Sequence, residues 1–203
     1  MSKANKSNKA IKYRLYPNDE QKVMFAKTFG CCRFVYNQLL ALQKQRYKDG
    51  ESHLSKLKSN EFATRTLKKD YDFLKEIDKF AVSNAVFHLA DAYDRFFKKQ
   101  NHFPKFKSKR KSKKSYTTNF TNNNILIGKN VIKLPKVGMV KAVIHKLPKD
   151  DWKLKSVTVS QDSVGNYFAS VLFEYEQEDI PSVSKSSTNA IGLDYKSDGL
   201  YMD

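Results

Sequence analysis

The apolar residues of this chain change their spacing part-way along its length, and that change limits the folds available to it. Between Asp19 and Lys99 they recur at the three- and four-residue intervals of a helix. From Ile125 to Glu176 they follow the period of two that is typical of strands. Another alternating run, Ile11 to Tyr16, precedes the helical part. The pattern predicts an α+β protein in which helices interrupt a set of strands.

Three helices are predicted in the first half of the chain. Asn18 and Gln21 form a capping-box pattern at the start of a helix that runs to about Lys48, and Asp49-Gly50 ends it. The apolar spacing on both sides of Gly30 stays helical, so we expect one long helix rather than two helices with a turn between them. The second and third helices are predicted at Ser55 to Lys68 and Phe80 to Phe97.

Five short strands separated by turns rich in Asn and Gly are predicted after residue 124. They are Ile125–Ile127, Val131–Leu134, Met139–His145, Leu154–Ser160 and Tyr167–Glu176. Strands of this length and spacing suggest a small, OB-like antiparallel β-barrel, which the N-terminal strand is free to close. The expected architecture is therefore a β-barrel interrupted by a helical bundle.

Charge indicates the class of partner. The net charge is +17 and the pI is near 9.7, far beyond what solubility requires, which favours a polyanionic partner such as nucleic acid. The 14 Phe and 11 Tyr exclude wholesale disorder. No run approaches the roughly 18 apolar residues that span a bilayer, and Met1 to Ala10 lacks a signal-peptide core. We expect a cytoplasmic protein with no membrane partner.

The cysteines and histidines do not have the spacing of a zinc site. Cys31 and Cys32 are adjacent, and the four histidines are scattered along the chain. We expect the two cysteines to be small buried or half-buried helix residues, and we expect no Zn²⁺ site.

A basic segment separates the helices from the later strands. Seven of the ten residues from Lys105 to Lys114 are Lys or Arg, with Phe103, Phe106 and Tyr116 interleaved. Such a run is either a solvated loop or a strap that grips phosphates while its aromatic rings stack on bases. Its position favours the strap. The candidate phosphate-binding residues in it are Lys105, Lys107, Lys109, Arg110, Lys111, Lys113 and Lys114.

The end of the chain places a carboxylate after an apolar strand. Ala190 to Leu193 leads directly to Asp194, as in RNase-H-like nucleases, where such a residue is the first metal ligand. Two-ion phosphodiester cleavage needs further carboxylates. Asp198 is interpreted as a turn residue and Asp203 as merely the last residue. One Asp cannot hold two ions, so these residues resemble the front part of a nucleic-acid enzyme, or its binding half alone.

Several segments together resemble a known family, the transposon-encoded TnpB (OrfB) proteins. They match in order and spacing over almost the whole chain: Arg14–Asn18, Phe29–Asn37, Asp78–Ala81, Phe103–Lys107, Ser115–Asn124 and Lys133–Gly138. The resemblance implies an RNA-guided DNA endonuclease related to type V CRISPR effectors. Its parts are a wedge barrel interrupted by a helical recognition domain, then a RuvC-like nuclease and a zinc ribbon. Only the first carboxylate of the nuclease has a counterpart here, Asp194, which the resemblance makes one Mg²⁺ ligand in a full-length relative.

The resemblance also implies a division of the chain and a set of partners. The expected partners are a guide RNA and a double-stranded DNA target, bound by a monomer. The implied segments are 1–17 (tail and first barrel strand), 18–103 (helical recognition domain with a helix-turn-helix-like N-terminal region), 104–177 (basic strap and barrel), 178–189 (linker) and 190–203 (start of the RuvC-like domain).

Two groups of residues are implied to read the DNA that flanks the target. They are Lys79, Phe80, Ser83 and Asn84 at the start of the third helix, and Phe120, Thr121 and Asn122 before the barrel. Phe80 equally suits a core position, and the Asn run equally suits a simple turn. Arg14, Arg33 and Asn37 either bind RNA phosphates or brace the barrel against the helices.

Three other functions remain open from the sequence. The chain is compatible with a nuclease-dead, RNA-guided DNA binder that represses transcription, and with a DNA-binding module that uses no guide. It is also compatible with a decayed fragment whose strand at Ile191 to Asp194 has no pairing partner and promotes aggregation.

Overall fold

A seven-stranded antiparallel sheet and a set of helices make up the fold in the computed structural model, which describes residues 5–177, 193–196 and 199–202. The strands of the sheet are β1 (Asn5–Tyr16), β2 (Lys114–Asn119), β3 (Leu126–Ile127), β4 (Val131–Leu134), β5 (Gly138–Val143), β6 (Lys153–Gln161) and β7 (Tyr167–Gln177). Their order in the sheet is β2-β6-β7-β1-β5-β4-β3.

The N-terminal strand lies inside the sheet. β1 pairs with β7 from Asn5 to Leu15 and with β5 from Arg14 to Tyr16. Its alternate side chains Ile11, Tyr13 and Leu15 are buried, as the period of two predicts. The strand at the start of the chain therefore lies between β5 and β7, two strands from its later part.

The predicted strands are present, but the barrel is not closed within the described residues. β2 and β3 are the two edges of the sheet, and β3 has only two residues. Helix α4 (Lys79–Phe97) covers β2: Asn84 Nδ2 donates to the Thr117 carbonyl at 3.0 Å. A helix thus occupies the edge that a closing strand would need, and the edge is protected in another way.

Strand β2 was not predicted from the sequence. Its first residue, Lys114, belongs to the basic run, which masked the alternation of buried Tyr116 and Thr118.

The long first helix is continuous, as predicted. Helix α1 spans Asp19–Lys48. The Asn18 side chain accepts from the Gln21 amide at 2.9 Å, and Gln21 Oε1 accepts from the Asn18 amide at 3.1 Å, so the capping box is confirmed. Gly30 lies inside the helix, and Gly50 follows its C-terminus with a φ of +72°.

The second helical stretch is less regular than its pattern indicated. It consists of α2 (Lys56–Glu61), a π-helical segment (Phe62–Leu67) and α3 (Lys68–Asp70). A short 3₁₀ turn, Asp72–Lys75, leads to α4, whose N-cap is the buried Asp78. No described helix is both long enough and apolar enough to cross a membrane.

Aromatic side chains join the helices to the sheet. The Phe25 ring lies 5.4 Å from that of Tyr167 and 6.3 Å from that of Tyr116, and the Phe29 ring lies 5.9 Å from Tyr116. All four residues are buried, within one hydrophobic core that includes both the sheet and the helices. The helices and the sheet therefore pack as one unit.

The C-terminal residues form a separate hairpin. β8 (Leu193–Lys196) pairs antiparallel with β9 (Gly199–Met202), and Asp194 lies opposite Tyr201. The expectation that the strand carrying Asp194 lacks a partner is therefore wrong, because the chain supplies one itself. Residues 178–192, 197–198 and 203, which include the predicted linker, lie outside the described residues.

Candidate nucleic-acid interface

The Asn37 side chain ties the backbone of the basic strap, residues 105–114, to α1. Asn37 Nδ2 donates to the Lys107 carbonyl at 2.9 Å, and Asn37 Oδ1 accepts from the Lys107 amide at 2.8 Å. Both polar atoms of the Asn37 amide are therefore used in bracing. The contact braces the strap rather than the sheet, so both roles predicted for Asn37, bracing the barrel and binding RNA, stay predictions.

Arg33 and the strap together line a narrow groove with about 60 Å³ of free volume. Arg33 lies one helical turn before Asn37, on the same face of α1. Its guanidinium makes no hydrogen bond or ion pair with any residue that the structure describes. The groove is also lined by Lys107, Lys109, Lys113 and Lys114 and by the hydroxyls of Ser108, Ser112 and Ser115.

The positive charge of the groove is not neutralised within the described part of the chain. No Asp or Glu belongs to its described lining, and the ion pairs found between described residues include no strap residue. Cations held together without counter-ions repel one another and attract a polyanion. The arrangement fits a phosphate.

Lys107 differs from its neighbours in the strap. Its ammonium lies 3.9 Å from the centre of the Tyr36 ring, and burial lowers the pKa of Lys107 from its ordinary value. The Lys107 side chain is therefore half-buried and helps to seat the strap on α1.

The aromatic residues of the basic run divide into two kinds. Phe103 and Phe106 are 40% and 52% exposed, as stacking on a base requires. Tyr116 is buried against Phe25 and Phe29, so the prediction that it stacks on nucleic acid is wrong. Lys114 lies at the start of β2, where its ammonium donates to Gln161 Oε1 at 3.0 Å.

The first group implied to contact flanking DNA, at the start of α4, is joined to β2, the strand that leads directly to the second group. Asn84 Nδ2 lies 3.0 Å from the Thr117 carbonyl and 3.2 Å from Asn119 Oδ1. Thr118 donates to the Asp78 carboxylate at 2.7 Å. Asn84 thus has a structural role between α4 and β2, and its contact with DNA stays a prediction.

The Asn run is a tight turn. Asn122 and Asn123 have φ values of +45° and +55°, and the Asn124 amide donates to the Thr121 carbonyl at 3.0 Å. Positive φ at both central residues is the type I′ geometry that Asn tolerates. Asn122 and Asn123 are exposed at its tip, and Phe120 is 37% exposed beside it. The turn and a DNA contact are therefore compatible.

The start of α4 carries more positive charge than the sequence indicated. Lys79 is exposed, with its ammonium 5.1 Å from the centre of the half-buried Phe80 ring. Burial is the main reason that the pKa of Lys68 is lowered; the Asp78 carboxylate opposes this shift, and Lys79 and Lys136 add to it by repulsion. Lys68 and Lys136 were not predicted here, because three separate parts of the chain bring these lysines together. Ser83 is half-buried on the same helix.

Arg14 lies apart from the strap. Its guanidinium donates to Asn166 Oδ1 and lies 5.0 Å from the centre of the Phe168 ring and 5.5 Å from that of Tyr16. Its Nε is buried without a hydrogen-bond partner in the described structure. These contacts tie β1 to β7 and its turn, and a phosphate contact for Arg14 stays a prediction.

The described residues do not fit a two-ion nuclease site. Asp194 lies in β8, and no group of three His, Cys, Asp or Glu residues close enough to hold a metal occurs in the described part of the chain. The role of Asp194 as a Mg²⁺ ligand stays a prediction.

A family model matches the N-terminal part of the chain. Residues 7–52 match a family model described as the helix-turn-helix domain of OrfB from IS605-type elements. In the structure that range contains β1 and the single helix α1, with no turn between two helices.

Three relatives are similar to the chain. A Streptomyces pristinaespiralis protein named as a candidate RNA-guided DNA endonuclease is 30% identical over 92% of this chain and 45% of its own length. Escherichia coli K12 InsQ, named in the same way, is 29% identical over 91% of the chain and 44% of its own length. Virulence protein VsdF of Salmonella dublin is 32% identical over 50% of the chain and 93% of its own length.

The chain spans slightly less than half the length of the first two relatives. The order of segments, the matched domain and the relatives agree with one another. The chain belongs to the TnpB (OrfB) family, and it contains a nucleic-acid-binding region of the TnpB type.

Proposed function

We propose that this chain binds a guide RNA and the DNA flanking its target, as the binding part of a TnpB-type RNA-guided endonuclease. The observation that carries the proposal is the strap groove. There Arg33, without a partner in the described structure, faces a set of lysines that Asn37 holds in place. Contacts of this kind bind phosphates and fix register without reading sequence.

The second surface suits DNA. The start of α4 and the Asn turn place Lys79 and Asn122 at the surface, on elements joined through Asn84. Asn side chains can form paired hydrogen bonds with adenine, and Lys with guanine. Cleavage would belong to a longer relative, in which Mg²⁺ held by several carboxylates stabilises the attacking and leaving oxygens.

The strap can be tested through the salt dependence of RNA binding. Arg33→Ala and Lys113→Ala each remove one cation from the groove. Each should flatten the slope of log K against log[salt] by about 0.7 to 0.9. Lys129→Ala is the matched control, because Lys129 is an exposed lysine in the β3–β4 turn. Fluorescence anisotropy between 50 and 200 mM salt gives the slopes. Equal slopes for all three variants would contradict the strap.

Guide dependence needs a separate experiment. RNA that copurifies with the chain is sequenced, and DNA binding is then measured before and after ribonuclease treatment. Loss of sequence-specific DNA binding after treatment supports a guide. Specific binding that survives treatment supports the DNA-binding module without a guide, and equal affinity for RNA from its own locus and for heparin contradicts the proposal.

A further inference from the structure

A second cleft lies at the far end of the helices from the Asn turn. Helices α1 and α4 run in the same direction, because Cys32 contacts the Ala81 carbonyl while Gln43 and Tyr47 share a cleft with Tyr93. Their C-terminal ends therefore lie side by side. Between them is a cleft of about 670 Å³, far larger than the strap groove.

Aromatic rings form the walls of this cleft. Of the ten lining residues that the structure describes, none is aliphatic and six carry a ring: Tyr47, His53, Tyr93, Phe96, Phe97 and Phe103. Phe96 and Phe103 meet edge to face at 5.2 Å, and His53 and Tyr93 meet in the same way at 4.5 Å. The rings are thus held in fixed orientations by one another.

Two of the rings remain open to solvent. Tyr47 is 85% exposed and makes no ring contact with any other residue that the structure describes, and Phe97 is 63% exposed. Large aromatic surfaces left in water are unfavourable, and such a patch commonly marks a binding surface. These rings are available to a flat ligand.

The rim of the cleft is basic. Lys44 and Lys48 belong to the lining, as does Glu51, whose carboxylate is paired with Arg46, and the Lys44 ammonium lies 5.5 Å from the centre of the Phe103 ring. Lys98 and Lys99 follow α4 directly, and Lys99 has a φ of +57°, a left-handed conformation that favours glycine. Lysines are also favourable at a helix C-terminus for electrostatic reasons, so by themselves they do not indicate a binding site. The rings indicate the site, and the lysines indicate that its ligand is negatively charged.

We propose that this cleft binds an unpaired nucleobase of a single-stranded nucleic acid, with its phosphates against the rim lysines. Bases stack on aromatic rings whatever their identity, and basic residues beside the rings hold the backbone. A groove for the apolar face of a peptide helix would be expected to offer aliphatic side chains, which the described lining lacks. The cleft is distinct from the strap groove and needs no guide.

The experiment compares matched probes on the 203-residue chain. One probe is an RNA hairpin with a single unpaired 2-aminopurine in its loop. The second has an abasic site at that position, and both are also made as DNA. The wild type should bind the base-containing probe about fivefold or more tightly than the abasic one, with quenched 2-aminopurine fluorescence. Because both probes carry the same phosphates, their ratio does not depend on the strap lysines, and the Tyr47 variants below separate stacking in the cleft from stacking on the exposed strap residue Phe106, so the two proposals fail separately.

Variants of the exposed ring identify the stacking surface. Tyr47→Phe keeps the ring and should keep the ratio, whereas Tyr47→Leu keeps apolar surface and should reduce the ratio severalfold. Leu57→Ala is the control, because Leu57 is 81% exposed on α2, outside the cleft lining. Equal binding of base-containing and abasic probes by the wild type would overturn the proposal. An unchanged ratio in Tyr47→Leu would also overturn it, because the preference for the base would then arise from rings other than Tyr47. A preference for the RNA or the DNA probe identifies the natural strand.

Discussion

Replacing Gly30 with alanine should stabilise the protein, and this change tests the continuity of α1 directly. Gly30 lies inside the helix, and a Cβ added there would have no atom within 4 Å, apart from its chain neighbours and the helix backbone. Alanine is favoured over glycine in a helix interior by about 0.5 to 1 kcal/mol. Since no contact opposes the methyl group, the whole propensity difference should appear as stability.

Thermal unfolding measures the effect. For a domain of this size 1 kcal/mol corresponds to about 2 to 4 °C, so Gly30→Ala should raise Tm by about 1 to 4 °C. Gly50→Ala is the matched control and should lower Tm, because the φ of +72° at Gly50 disfavours any side chain. A lower Tm for Gly30→Ala would refute the reasoning, since it would show that Gly30 serves as the turn of a helix-turn-helix.

Three further predictions concern the strap, a helix cap and the thiols. Asn37→Ala removes both hydrogen bonds to Lys107 and should lower the free energy of unfolding by about 1 to 3 kcal/mol. Amide hydrogen exchange at Lys107, measured by mass spectrometry, should become faster. Lys99→Gly should raise stability by about 1 kcal/mol in urea unfolding, because glycine relieves the left-handed conformation; no gain would contradict that strain. Burial raises the pKa of Cys32 to about 12, so its stabilising effect is complete below about pH 8.5 and is lost as pH rises toward 12. Alkylation at pH 8 should be much slower in the native than in the urea-unfolded chain, and equal rates would contradict burial.

Sequence signals between neighbouring residues correctly predicted those helix ends that depend only on such neighbours. The cap at Asn18 and Gln21 depends on residues three apart, so the start of α1 could be placed correctly. Cys31 and Cys32 were correctly predicted to be buried or half-buried residues of a helix. Val23 fits the apolar stripe of α1 but is exposed, so the helical period does not say which residues at the margin of the stripe are covered.

Long-range contacts produced what the sequence did not predict. The sheet stays open where Asn84, more than 30 residues before Thr117, donates to the edge strand, and no local pattern announces that contact. Tyr116 follows a basic run and so looked like a stacking residue, but packing against Phe25 buries it. The groove at Arg33 depends in the same way on a strap from 70 residues away.

The continuity of α1 also sets a distance between the two proposed binding sites. Arg33 in the strap groove and Tyr47 at the cleft are 14 residues apart on one helix, which is about 21 Å along its axis. A strand of stacked nucleotides advances about 3.4 Å per residue, so roughly six nucleotides span that distance.

A single-stranded trimer therefore reaches only one site at a time, whereas a decamer reaches both. For the trimer, Arg33→Ala and Tyr47→Leu should each weaken binding little, because the other site remains. For the decamer each change should weaken binding fully, and the two losses of binding free energy should add, since Arg33 and Tyr47 lie far apart on α1. Equal responses of trimer and decamer would show that the two sites do not bind one strand together.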